Sequence, residues 1–369
     1  MYKHLVAMLL SATLACIAGC ADPITPDYRY EEGYLVVDSR ITDRPGTSYA
    51  YIRRNKLLYD RYALVTVPSA RVTSRDDLGQ VTEWILSNTG GRYAPPPDFA
   101  AVPEREYSLV VETLEGEVIE SPPQSLPSLV GFQNLRWRFD QEAYFSDSWE
   151  RFVPALTFLV DVDDPAGTDN YYVYRLRLWE EINICRTCNY AKYRGGECTP
   201  GPDTRNVPYY DYLCADRCWS ERAVEGRSIH RDEFSDGKLS EGVRTGRIDF
   251  ERRGGLLVEV EQANVSGTTY AFSENFLQLT ENGGGLNAPL PAPLVGNLTD
   301  NSDRGTYVLG NVSLERLTTE RIFLDRNTIE GSTLPPARKV VLEPLFPDPP
   351  RAPCDGPDRS TVPPEGWSQ

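Results

Sequence analysis

Short alternating apolar and polar segments, punctuated by turn residues, run through most of this chain and restrict it to folds built from strands. Tyr107-Ser108-Leu109-Val110-Val111-Glu112-Thr113 passes through the turn Leu114-Glu115-Gly116-Glu117 into Val118-Ile119-Glu120-Ser121. Tyr34 to Asp38, Tyr49 to Arg53, Ala70 to Ser74 and Val81 to Leu86 have the same character. Ile41-Thr42-Asp43-Arg44-Pro45-Gly46 and Asp76-Asp77-Leu78-Gly79 supply turn chemistry between them. Strands at this spacing are the pattern of a sandwich. Residues 28–128 are therefore expected to form an immunoglobulin-like β-sandwich, with Tyr107 as its corner tyrosine. Twenty-one tyrosines and 29 prolines against two methionines also favour strands and turns over helical bundles.

Pro122, Pro123 and Pro127 mark a boundary, and a second β-rich domain is expected over 129–343. Its strongest strands are Ala155 to Val162 and Tyr171 to Trp179. Residues 183–240 are polar, Cys-rich and Tyr-rich without a clear period, and read as a long Cys-rich insertion stapled by disulfides. Strand character returns at Arg247 to Val260, and then as two strands at Thr306–Leu317 and Glu320–Leu324. Thr268 to Thr280 carries an imperfect apolar stripe of Tyr270, Phe272, Phe276, Leu277 and Leu279. It stops at Asn282-Gly283-Gly284-Gly285, so one short helix is expected there. The Pro-rich tail at 344–369 is expected to be tied back onto the body through Cys354 and Trp367. The fold class is thus mainly β: a sandwich, then a β-rich domain with the insertion and one short helix.

The first twenty residues carry an address. Lys3 gives a short positive region, and Leu5 to Ala18 is apolar but too short to span a bilayer. Ile17-Ala18-Gly19-Cys20 closes it with small residues before a cysteine, the form of a bacterial lipobox. Residues 1–19 then read as a lipoprotein signal peptide, Cys20 as the lipidation site, and 20–27 as a tether. Acyl chains on one cysteine anchor a body at about 0.8 kcal/mol per buried methylene. No later segment has 18 consecutive apolar residues, so the expected membrane contact is the lipid anchor alone.

Charge narrows the partners. A formal charge of −16 repels phosphate backbones, so nucleic acid is not an expected partner. Of two histidines, His4 lies in the leader, leaving His230 alone for the body and excluding His-rich metal sites. Cys185, Cys188, Cys198, Cys214, Cys218 and Cys354 are even in number and, in an exported chain, read as disulfide candidates. Their C-x-x-C and C-x-x-x-C spacings fit a zinc site poorly. Asp161, Asp163, Asp164 and Asp169 crowd one loop, where oxygen ligands could hold calcium. Pro165 breaks the EF-hand spacing, and aspartates also favour turns, so no metal is assigned and no cofactor is implied. Tyr209, Tyr210, Tyr212 and Trp219 are candidates for a binding surface, with packing of a stapled subdomain as the alternative.

Several short motifs point one way together. The lipobox, Leu35-Val36-Val37-Asp38-Ser39-Arg40-Ile41-Thr42-Asp43, Gly91-Arg92-Tyr93 and Asp169-Asn170-Tyr171-Tyr172 come first. Gly296-Asn297-Leu298, Gly310-Asn311-Val312 and a tail with Cys354, Pro364 and Trp367 follow. In this order they resemble the Bacteroidota outer-membrane lipoproteins known as domain of unknown function 4249. The resemblance implies a lipid-anchored outer-membrane protein, with the face undetermined, acting beside a TonB-dependent receptor in nutrient uptake. It transfers no catalytic residues, and the ligand is unknown. No Gly-x-Ser-x-Gly elbow, Walker loop or His-Glu-x-x-His helix is present, so a non-enzymatic binding module is expected. A structural envelope protein is the alternative, followed by a carboxylate-dependent glycan hydrolase.

Overall fold

The computed structural model describes residues 33–369 apart from 60, 88–89, 188–191, 195–196, 202–211, 234, 282–293, 295, 303–304, 306, 335–353, 355–357 and 369. For 61–62, 183–187, 192–194, 198, 212–216 and 281 only the backbone is described. The first part of the chain contains β1 (Leu35–Thr42), β2 (Tyr49–Leu58), β3 (Arg61–Thr66), β4 (Arg71–Asp76) and β5 (Val81–Leu86). It continues with β6 (Tyr93–Ala94), β7 (Glu106–Glu112), β8 (Val118–Glu120) and β9 (Gln124–Ser125). Then come β10 (Gln133–Ser146), β11 (Arg151–Asp163), β12 (Tyr171–Thr187), β13 (Lys192–Arg194), β14 (Glu197–Thr199) and β15 (Tyr212–Ala223). The remainder is β16 (Ser228–Arg231), β17 (Leu239–Asp249), β18 (Gly255–Val265), α1 (Gly267–Glu281), β19 (Thr299–Asp300), β20 (Val308–Asp325) and β21 (Arg359–Ser360).

The mainly β reading holds. In the first sandwich, β1 and β2 face β4, β7 and β8 across a core of Leu35, Val37, Ile41, Ile52, Val72, Trp84, Leu109, Val111 and Ile119. Alternation decides which side chains enter: Leu35 and Val37 are fully buried, whereas Asp38 between them and Arg40 points to the other face. The Tyr107 hydroxyl accepts from the Val102 backbone N–H at 2.9 Å, pinning the loop before β7 as a corner tyrosine does.

One strand joins the two halves of the molecule. The stretches at Thr306–Leu317 and Glu320–Leu324 form a single strand, β20, because Thr318 and Thr319 continue the extended ladder. Its first part pairs in parallel with β1, from Leu35 opposite Val308 to Thr42 opposite Glu315. Val312 and Leu314 thereby enter the first core. Its second part pairs antiparallel with β18, from Asn264 opposite Arg316 to Gly255 opposite Asp325, and Leu324 enters the second core. At the crossover the chain needs glycine. Gly310 has φ +108°, and a Cβ there would lie 1.9 Å from the Val37 carbonyl oxygen. Gly296 closes on the same spot, and Asn297 bonds both the N–H and the C=O of Val312, at 2.9 and 2.8 Å.

In the second sandwich the small sheet β10–β11–β17 packs on β20–β18–β12–β15. Leu156, Phe158, Val160 and Val162 from β11 meet Tyr172, Tyr174, Leu176 and Leu178 from β12 and Leu256, Val258 and Val260 from β18. The expected insertion at 183–240 is in part regular structure. β12 runs on to Thr187 and pairs with β15 down to Thr187 opposite Tyr212, and β16 pairs with the start of β12. Its polar alternation hides this ribbon from a search for apolar period.

The outer face of the continuous sheet is covered at two places. α1 follows β18 directly, capped by the Ser266 hydroxyl, which accepts from Thr269 N–H at 3.3 Å. It lays Tyr270 on Val173, Ala263, Val265 and Leu317. The tail covers the other place. Cys218 and Cys354 form a disulfide, β21 pairs with β15, and Trp367 sits 5.1 Å from the Phe323 ring and 6.1 Å from Trp219. Cys218→Ser is expected to release residues 354–368, seen as a red shift of tryptophan emission and new proteolytic cuts after residue 325. Unchanged emission and digestion would mean that packing alone holds the tail.

Candidate functional site

Between the helix-covered and tail-covered patches, the outer sheet face carries charge where apolar residues would otherwise be expected. Alternation aims Arg40 of β1, Glu315 of β20, Glu261 of β18 and Arg175 of β12 at one point. Arg40 Nη1 lies 2.6 Å from Glu261 Oε1, and Arg175 Nη1 lies 3.1 Å from that same oxygen. Arg175 also grips Glu315 through both terminal nitrogens, at 2.9 and 2.8 Å. The Ser313 hydroxyl donates to Glu315 at 2.7 Å, and the Arg40 Nε donates to the Thr47 carbonyl at 2.9 Å. The Glu315 side chain is 1 % exposed and Arg40 7 %. Burial alone would raise the Glu315 carboxyl, but Arg175 and Arg40 outweigh it and hold it at about 2. Glu261 is lowered for the same reason, against its own burial.

Asp38 and Arg227 stand beside this network. Asp38 is densely surrounded, and burial raises its carboxyl more than Arg227 and Arg175 lower it. Its side chain nonetheless stays open to solvent. Arg227 sits in the turn before β16 with its guanidinium 5.1 Å from the Phe276 ring and 3.5 Å from Ser273 Oγ of α1. Burial, then repulsion from Arg175, push its pKa below the ordinary value.

On its far side Arg227 opens into a groove between α1, β16 and the edge strand β17. Two adjoining cavities, of about 280 and 640 Å³, share Arg227, Ser228, Arg244 and Leu277. The smaller one is backed by Tyr174, whose hydroxyl donates to Gln262 at 2.9 Å. The larger adds His230, Glu241 and Glu274. His230 stacks on Tyr172 at 6.0 Å, and burial pushes its pKa down. The larger cavity has the size of a small-molecule site, but polar and charged side chains dominate its lining, with Ile229, Val243 and Leu277 as its apolar part.

Those residues singled out from the sequence whose side chains the structure describes lie elsewhere. Cys20, Cys188, Tyr209 and Tyr210 are outside the described residues; Cys185, Cys198, Tyr212 and Cys214 lie on strands without described side chains. Trp219 is not a surface residue: it is 4 % exposed, packed between Trp367 and the Arg217 guanidinium. The aspartates do not converge. Asp161 accepts from Arg136 and from Gly242 N–H, both at 2.8 Å, and these bonds hold it at about 2. Asp164 turns inward to the Tyr172 hydroxyl, while burial and the neighbouring Asp232 raise its carboxyl. Asp163 and Asp169 are exposed. Among the described residues no three His, Cys, Asp or Glu side chains are placed to hold a metal.

The family model for Domain of unknown function (DUF4249) matches residues 21–321. This chain belongs to the DUF4249 family. No curated protein matches it. In this DUF4249 protein the matched span contains β1, β12 and β18 whole and β20 as far as Arg321, and so all four members of the buried ion network. Sequence reasoning missed that network and the groove. The available signal was charge interrupting alternating strands at Arg40, Arg175, Glu261 and Glu315, which reads locally as a solvated face.

Proposed function

We propose that this DUF4249 protein is a lipid-anchored binding module of the outer membrane, serving a TonB-dependent receptor in nutrient uptake without catalysing a reaction. The observation that carries the reading is Ile17-Ala18-Gly19-Cys20 ahead of a strand-built body whose first strand begins at Leu35. In this reading acyl chains on Cys20 attach the protein to the membrane. The groove beside α1 gives such a module a place to hold a ligand, and α1 itself packs through Tyr270 against Leu317 of the shared strand β20.

Labelled palmitate tests the anchor: incorporation into the wild type and none into Cys20→Ala is expected. Equal labelling of both, or of neither, contradicts it. Mild detergent extraction then tests the partner. Co-purification with a large β-barrel protein supports the receptor role, and a barrel-free complex supports a purely structural envelope role.

A further inference from the structure

Four large apolar side chains stand exposed at the end of the first sandwich where the chain enters it: Leu58, Tyr59, Leu114 and Tyr307. The topology puts them there. β1 leads away from Gly33, and β2 returns antiparallel beside it, with Leu35 opposite Arg54. The Gly33 N–H donates to the Asn55 carbonyl at 3.2 Å, which fixes the point of entry. β2 then overshoots. From Lys56 to Leu58 it pairs with β3 alone among the described strands, so the hairpin tip projects about 10 Å past that point. Arg54 ties in the turn between β7 and β8: its guanidinium donates to the Gly33 carbonyl at 2.6 Å and to Glu117 at 2.5 Å. That turn carries Leu114, 80 % exposed, and the tip carries Tyr59, 98 % exposed. Tyr307 comes from a third segment, just ahead of β20, with its ring 5.9 Å from that of Tyr34.

Exposed apolar side chains brought to one end by separate segments mark an interaction surface. The tether decides what lies opposite. Gly33 comes 13 residues after Cys20, a reach of at most about 45 Å even when fully extended. The tether joins the body at this end, so acyl chains on Cys20 hold these side chains close to the bilayer. We propose that the end of the first sandwich, led by Leu58 and Tyr59 of the β2–β3 hairpin, dips into the lipid interface as a second membrane contact beside the acyl chains. Leucine suits the acyl boundary, and tyrosine suits the headgroup level, where its ring is sheltered and its hydroxyl wet. The contact is apolar. A chain of formal charge −16 gains nothing from an anionic surface, and Arg54 is already matched by Glu117. A zwitterionic bilayer therefore suffices.

This inference rests on the reading of Cys20 as the lipidation site, and its test separates the two. The full chain, extracted in mild detergent, is reconstituted into phosphatidylcholine vesicles with and without bromine on the acyl chains, as wild type and as Tyr59→Trp. Flotation with the vesicles reads the anchor. The emission that Tyr59→Trp adds to the wild type reads the tip. It is expected to lie to the blue and to fall about twofold in brominated lipid, as for a side chain about 5–10 Å into the interface. Leu114→Trp, on a separate turn, should respond in the same way and serves if the hairpin variant folds poorly. Leu78→Trp is the control, because Leu78 is exposed at the far end of β4, where Asp76 pairs with Tyr107. Its emission should stay red and unquenched. Chains that float while Tyr59→Trp and Leu114→Trp behave like Leu78→Trp overturn the proposal and leave the anchor standing. Blue but unquenched emission also overturns it, since protein, either a partner or a second copy, would then cover the tip. A wild type that fails to float contradicts the anchor itself, and the tip contact with it.

Discussion

Glu315→Ala lowers stability by about 3–5 kcal/mol, the usual consequence of leaving a buried cation without its partner. Arg175 loses both of its shortest contacts, at 2.9 and 2.8 Å, and Arg40 loses the second of its two carboxylates. Glu261 cannot compensate, since one of its oxygens already serves both arginines. The effect depends on pH with a definite sign. Glu315 is held at about 2 in the folded chain, below the ordinary 4.5. Its contribution is therefore complete above pH 4.5 and is lost as the pH falls towards 2. Urea midpoints of wild type and variant should differ most near neutrality and converge in acid. A pH-independent gap would show that the loss is one of packing, not of charge.

Gly310→Ala should cost about 3 kcal/mol or more, from a side chain of one carbon. Two causes add. The backbone sits at φ +108°, where L-residues are strained, and the new Cβ would meet the Val37 carbonyl oxygen at 1.9 Å. That atom belongs to the main chain of β1, so relief requires the parallel pairing itself to shift. Both sandwiches should feel it, because β20 serves both. Ala at Gly305, where φ is +64° and no atom lies within 4 Å of the added carbon, provides the control with strain alone. Thermal melts of the two variants separate collision from strain, and equal losses would contradict the close approach.

The local elements were legible in the sequence because their causes are local. Alternation in Tyr171 to Trp179 foretells the start of β12, and the apolar stripe with its glycine stop places the helix within one residue of Gly267–Glu281. Tyr107 was readable because its bond spans five residues. What escaped depends on contacts far apart in the chain. Nothing near Leu35 announces a parallel partner at Val308, some 270 residues away, and no periodic pattern encodes it. Arg40 and Glu261 look solvated for the same reason: whether an outer sheet face is wet depends on what α1 and the tail cover. Trp219 stayed open between the two readings because aromatic residues beside cysteines suit either recognition or packing, and only Trp367, from the chain's other end, decides for packing. The weak motifs Gly296-Asn297 and Gly310-Asn311-Val312 acquire a joint meaning in space, since they dock on one another where β1 meets β20.

Hydrogen exchange under mildly denaturing conditions reads the shared strand most directly. Peptides spanning residues 35–42 and 255–264, which lie in different sandwiches but flank the same strand, should open together with one free energy and one dependence on denaturant. Exchange of β1 at a markedly lower denaturant concentration, with β18 still protected, would contradict a body unified through β20.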